Sequence, residues 1–461
     1  MIGKTNTQIA LERRIFMQRA AVGTAALSTT GLVYPNGDPL NQHQAQASNS
    51  PKQLYDDLRD SVLAGANLIP VVGGFLYYLC ALFIPNSGES PEQMWRRLID
   101  SKISDALMRL VQQNLVGLSN VSRLYKIAIE TGNNASILAQ SIAADTQFNA
   151  MLPGFKIKGE ETALLPLFAI AATLHLALLR DMVLKGLEIG LSEAHVASYA
   201  KEMASLIQQY SAHVDMHAPF AIEKARRDNP HKPILLTRNM PLSAMLIAKT
   251  DYQLRVLDLR DTWEGFDPIR FPGKSPITLD REVYTSIIGW WGRKNGIPNA
   301  IPVWKRPSAP LTAIEVWDRA QWNTRFIFGC DLTYADGSVI STGSRISNPH
   351  TVRVGNYIDR VTAQSTAGLF QMSFRNNEGR WTKVGRDPDG TIPREFDSSF
   401  SGHQLSSIRP IGQGIGAAEG AMSGCVLGFQ LIHQSAARIS PAALEEITPK
   451  IAPQLRKWIA G

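Results

Sequence analysis

The sequence predicts a multidomain chain of α and β structure: an N-terminal seven-helix α-bundle around a buried apolar central helix, followed by an antiparallel β-sandwich, with a β-prism as the alternative. Three observations point there. Apolar residues recur at helical spacing from about Leu54 to Trp263, with breaks at Pro70, Pro85 to Pro91, Gly132 to Asn134, Pro153 to Gly159, Gly190 and Asn229 to Pro233. Within that region Leu164 to Leu191 is apolar around its whole circumference, which makes it either the buried axis of a bundle or a membrane span. From Ile314 to Ile432 the pattern changes to short β-branched and aromatic runs between turn signals, about nine strands. With 461 residues, 44% hydrophobic and 19% charged, the chain can give each part its own core, which excludes a disordered protein.

Residues 1–47 read as an export signal of the twin-arginine type. Arg13 and Arg14 precede Phe16 and a modestly apolar stretch, and Ala45-Gln46-Ala47 is a small-residue cleavage pattern, although Glu12 and Gln18 depart from the usual flanks. Residues 54–265 form the helical domain, with helix starts at Ser90-Pro91 and at Ser192 before Glu193. From Ala163 to Leu179 the only polar side chains are Thr173 and His175, and seventeen residues extend roughly 26 Å against a hydrocarbon core of about 30 Å. Seven Leu with Phe168 and Ile170 favour insertion by roughly 4 to 5 kcal/mol, while Arg180 and Asp181 each oppose it by about 3 kcal/mol if drawn to the centre. Insertion of this helix alone is therefore marginal. Ser192 to Arg227 keeps its Lys, Glu and Gln on one face, as an amphipathic helix wrapped around an apolar one does. Residues 266–309, rich in Pro, Gly and Trp, read as a linker, residues 310–435 as the β-domain, and Ser440-Pro441 opens a short helical tail in residues 436–461.

The formal net charge is +7, but no Lys/Arg run is interleaved with aromatics, so no nucleic-acid partner is expected. Cys80, Cys330 and Cys425 make neither a disulfide framework nor a zinc spacing; Cys80 reads as a buried thiol, and a Cys330–Cys425 bridge is open to an exported chain. His213 and His217 stand four apart on a helix, yet Val214 occupies the place of a zincin's catalytic Glu, so they read as a surface pair. GQGIGA at Gly412 to Ala417 is followed by a strand rather than a helix, and DPDG at Asp387 to Gly390 is a hairpin turn too short for a calcium loop. No nucleophile elbow occurs. The expectation is a non-enzyme without cofactor or metal.

The run LLPLFAIAATLHLALLRDMVLKGLEIGL resembles the central helix of the δ-endotoxin N-terminal domain family of the Cry toxins, which carries LHLA followed by LRD, here Leu174 to Ala177 and Leu179 to Asp181. DYQLRVLDLRDTWEGFDPIRFPGKSPITLDREVYT, Asp251 to Thr285, is similar to that family's last bundle helix and exit, with VLD at Val256 to Asp258 and REVYT at Arg281 to Thr285. NLIPVVGGFLYYLCALFIP, Asn67 to Pro85, is similar to its second helix. Only about 25 residues separate Thr285 from the β-rich region, so a bundle joined to a single β-domain resembles the PirB component of the binary PirA/PirB insecticidal toxins. The opening Ile314 to Gly343 is also similar to the start of that component's β-domain.

The resemblance implies an exported, pore-forming insecticidal-type toxin. Its membrane-inserting helix contains Leu164, Leu165, Phe168, Ile170, Leu174, His175, Leu178, Leu179, Arg180 and Asp181, and leaves the bundle with the preceding helix, about Asn134 to Leu152, as a hairpin. His175 would face a bundle interior or a pore lumen rather than lipid. Asp258, Arg281, Glu282 and Tyr284 stand at the bundle exit. The implied partners are the target-cell membrane, a host surface receptor or glycan bound by the β-domain, a PirA-like small protein, and further copies of the chain in the pore. The alternative is a secreted carbohydrate-binding, lectin-like protein without pore activity.

Overall fold

Three helix boundaries fall where the sequence supplies caps, at Asn133, Gly190 and Ser192. The computed structural model describes residues 105–230, 240–272, 279–289, 300–321, 324–347, 349–365, 368–385, 394–400, 402–412 and 420–432. The expected export signal, the Asn67 to Pro85 block with Cys80, the Ser90-Pro91 start, DPDG, most of GQGIGA and the tail lie outside them. Helix α1 is Asp105–Thr131 and α2 is Asn134–Met151, whose N-cap Asn133 accepts from the Ser136 amide. A 3-10 turn, Leu152–Phe155, leads to α3, Glu161–Ile189. Gly190, at φ 104°, closes α3 in the left-handed conformation that glycine adopts without strain, and Ser192 then caps α4, Glu193–Asp228. Helix α5, Met240–Tyr252, runs through a π turn, Gln253–Leu257, into the single turn α6, Asp258–Arg260.

The expected axis of the bundle is α3. Every residue from Leu164 to Met182 is buried, packed against α2, α4, the π turn, α6 and the Trp263–Phe266 turn. Apolarity of sequence and burial part company at its C-terminal end, where Leu187 is exposed. On α4 the buried residues Met203, Ile207, Tyr210, Val214, Ala218 and Ala221 recur at three- and four-residue intervals, so one face meets the core.

The β-region holds three four-stranded antiparallel sheets, one more than the two layers of a sandwich. The first joins β1 (Val283–Tyr284), β12 (Gly424–Leu431) and β11 (His403–Pro410), with β2 (Ile288–Gly289) also pairing β12. The second runs β10 (Arg394–Ser398), β7 (Ile358–Ser365), β8 (Leu369–Asn376), β9 (Trp381–Gly385). The third runs β5 (Val339–Gly343), β4 (Thr324–Tyr334), β3 (Leu311–Gln321), β6 (His350–Val352). Inward residues of all three sheets share one core, which includes Val283, Ile314, Leu332, Val361, Met372, Leu405 and Leu427.

One expectation is corrected, and one alternative the sequence left open is closed. The linker expected at 266–309 contains β1 and β2, which pair with β12 at the far end of the β-region. Their four residues, Val283, Tyr284, Ile288 and Gly289, are too few to show a two-residue period among the surrounding Pro, Gly and Trp. The bridge left open between Cys330 and Cys425 does not form: both are buried free thiols, and burial pushes the Cys330 thiol up to about 12.

Candidate functional site: the α2–α3 hairpin and the bundle exit

The two polar side chains in the apolar run of α3 are both tied to other elements. His175, fully buried, places Nε2 2.8 Å from Asp145 Oδ1 on α2 and Nδ1 2.8 Å from the Tyr210 hydroxyl on α4. In the neutral ring, Nε2–H donates to the carboxylate and Nδ1 accepts the hydroxyl proton. Phe148 of α2 stacks on the imidazole at 5.2 Å. Burial, and then the Asp145 charge, pushes the Tyr210 phenol well above its usual range, so it remains a hydroxyl donor. Thr173 accepts from Trp263 Nε1 at 2.9 Å and donates to the Ala169 carbonyl at 2.7 Å.

Backbone irregularities on α3 are met in the same way. Pro166 has no N–H, so the Thr162 carbonyl loses its helical donor; the Tyr252 hydroxyl of α5 takes that place at 2.7 Å. Arg180, at the end of the buried stretch, donates to the Phe266 and Phe271 carbonyls, each at 2.8 Å. Leu164, Leu165, Phe168, Ile170, Leu174, Leu178 and Leu179 are completely buried in the bundle core, and Asp181 is buried beside them.

The residues of the bundle exit come together where α6 meets the β-region. Arg281 Nε donates to Asp258 Oδ1 at 2.9 Å and Nη2 to Oδ2, a bidentate pair, while Nη1 donates to His403 Nε2 of β11 at 2.7 Å. Glu282 accepts from the Tyr284 hydroxyl at 2.9 Å and from Ser407 Oγ at 2.8 Å, and also from Ser406. The Tyr284 backbone is tied to α5 through Thr250, whose Oγ1 accepts from its N–H at 2.8 Å and donates to its carbonyl at 2.7 Å. Leu242, Met245 and Leu246 of α5 pack with Tyr284, Ile287, Ile411 and Val426, so α5 rests on the first sheet.

The His213–His217 pair is less superficial than expected. His213 packs edge-on against Phe168 at 4.5 Å, and its buried Nε2 has no hydrogen-bond partner. Burial first, then the Lys156 ammonium, holds His213 down to about 4. Among the described residues no group of three or more His, Cys, Asp or Glu is placed to hold a metal. Two residues central to the site escaped the sequence reading, Asp145 and Tyr210. Asp145 did leave a signal, since it is the sole charged residue in NASILAQSIAADTQFNAM.

Residues 61–221 match the family described as delta endotoxin, N-terminal domain. Pesticidal crystal protein Cry1Id of Bacillus thuringiensis is 32% identical over 200 residues, 42% of this chain and 27% of that protein. Pesticidal crystal protein Cry1Bb of Bacillus thuringiensis is 28% identical over 242 residues, 50% of this chain and 19% of that protein. The chain thus spans about a quarter or less of the length of these curated relatives. Among solved structures, PirB superposes with a TM-score of 0.66 at 16% identity, covering 82% of this chain and 95% of PirB. The Bacillus thuringiensis insecticidal crystal protein Cry7Ca1 superposes with a TM-score of 0.67 at 17% identity, covering 83% of this chain and 75% of that one. At such identities the likeness is one of fold. The bundle with its central apolar helix is therefore a relative of the delta-endotoxin N-terminal domain, carried in a chain whose overall fold is shared with PirB and the Cry toxins.

Proposed function

We propose that this chain is a pore-forming toxin of the insecticidal type, in which α2 and α3 leave the bundle as a hairpin and enter a target-cell membrane. One observation carries the reading. Across α2, and across residues 162–179 of α3, the only charged side chain is Asp145, and it is bonded to His175 on the other arm of the same hairpin. Each stretch is about 27 Å long, close to the hydrocarbon thickness. A lone carboxylate in lipid is costly, but one satisfied within the inserting unit travels with its partner. Among the described residues, the bonds broken on departure include those to Tyr210, Trp263, Tyr252 and the Phe266 and Phe271 carbonyls, at about 1 kcal/mol each. The apolar burial that holds α3 in the bundle is regained in lipid, so these polar ties are what a membrane surface has to outcompete.

The β-region, whose three sheets suit a prism better than a sandwich, binds a host receptor or glycan and brings the bundle to the surface. Copies of the hairpin assemble to line the pore, and a PirA-like small protein completes the toxin. Release of an encapsulated dye from liposomes tests the reading: the folded chain is expected to empty vesicles, and vesicles left intact would favour a lectin-like protein instead.

A further inference from the structure

In the second sheet, strand alternation sends Val361, Ala363, Met372, Phe374, Val384 and Phe396 into the core, and the opposite face carries no aliphatic side chain along the paired register. On that outer face Arg375, Ser373 and Gln371 follow one another along β8. Trp381 lies across from Arg375, and Gln364 across from Gln371. Trp381 is 47% exposed, with the Arg375 guanidinium 6.0 Å from the centre of its ring. Arg375 is fixed in turn by two bonds to Asp359, at 2.9 and 2.8 Å.

At the other end of the row two amide oxygens lack donors among the described residues. Gln371 is 7% exposed and its Oε1 has no hydrogen-bond partner; Gln364 Oε1 also has none, although its Nε2 donates to Glu395 at 2.9 Å. Buried acceptors are ordinarily satisfied, and among the described residues nothing donates to these two, which leaves them open to a donor from a bound ligand. The charges around them cancel. Arg360 is paired with Asp397, Arg375 with Asp359, and Lys383 is matched in number by Glu395. A face with balanced charge has no preference for phosphate, sulfate or sialic acid.

The geometry points to a neutral oligosaccharide laid along β8 from Trp381 to Gln371. This rests on the receptor- or glycan-binding reading of the β-region and gives it a location. The C–H face of one sugar stacks on the exposed indole, and Arg375 and Ser373 bond to ring hydroxyls. Further hydroxyls donate to the two free glutamine oxygens. Four residues of strand separate the ends, about 13 Å, roughly the length of a trisaccharide.

The full chain is to be applied to surfaces bearing neutral trisaccharides of galactose, N-acetylglucosamine or mannose, beside their sialylated counterparts, with binding read by interferometry. Neutral surfaces should retain the protein. Trp381→Ala should weaken retention at least about fivefold, and Trp381→Phe should keep most of it. Gln371→Leu should weaken retention while the thermal midpoint holds or rises, because it removes a buried unpaired amide; a merely structural glutamine would not separate the two readouts. Absence of retention, preference for sialylated surfaces, or retention indifferent to both variants overturns the site. Dye release from receptor-free liposomes, measured on the same preparations, separates the failures: release without glycan retention removes the sugar site and leaves the pore reading intact.

Discussion

His175 drew attention in the sequence as the one ionisable group in an apolar run, but its partners lie 30 and 35 residues away on other helices, and helical periodicity does not say which residues of two helices meet. Tyr210 is the member of this network that stays behind when the hairpin leaves. Tyr210→Phe strands His175 Nδ1 without a donor in a buried site, so denaturant unfolding should show a loss of about 1 to 3 kcal/mol, and dye release per bound protein should quicken. Equal stability of variant and parent would show that this bond does not fasten the hairpin. His213 supplies a pH dependence. Its folded value, about 4, lies below the ordinary 6.5, so between those values the unfolded chain binds more protons than the folded one. The stability associated with neutral His213 is present above pH 6.5 and is lost as the pH falls toward 4. Thermal midpoints at pH 7 and pH 4 should therefore differ less in His213→Gln than in the parent chain, and an unchanged difference would contradict that origin.

At the scale of elements, the long periodic segments were the most legible. The axis α3 follows from all-round apolarity, and α4 from a single buried stripe and the Ser192 cap. The strands β1 and β2 were hidden, because two residues show no period and their partner β12 lies some 140 residues further on. They matter because they turn an expected linker into the seam that joins bundle and β-region. On α3 itself, Ile170 is fully buried and lies at the middle of the 162–179 stretch. Ile170→Asp adds about 3 kcal/mol to insertion, comparable with the helix's whole marginal gain, and should abolish permeabilisation in protein shown by circular dichroism to be folded. Undiminished dye release from such protein would remove α3 from the pore.

For the molecule as a whole, the contacts divide into a part that stays and a part that goes. Helix α5 is packed on the first sheet, and the π turn sends Leu254 into the β-region core, so α5 and the β-region hold together. The α2–α3 hairpin is held through its turn as well as its flanks. A Cβ placed on Gly154, in that turn, would lie 2.9 Å from Asn114 Cγ on α1. That spacing suits a disulfide between cysteines at the two positions. The double variant Asn114→Cys, Gly154→Cys therefore locks the turn of the hairpin to α1 without touching α3. Dye release by its oxidised and reduced forms is the most direct measurement of the central claim. The account predicts that the verified cross-linked form leaves vesicles intact and that reduction restores release to the level of the parent chain; cross-linked protein that empties vesicles as fast as the reduced form would contradict it, since the pore would then form without the hairpin leaving the bundle.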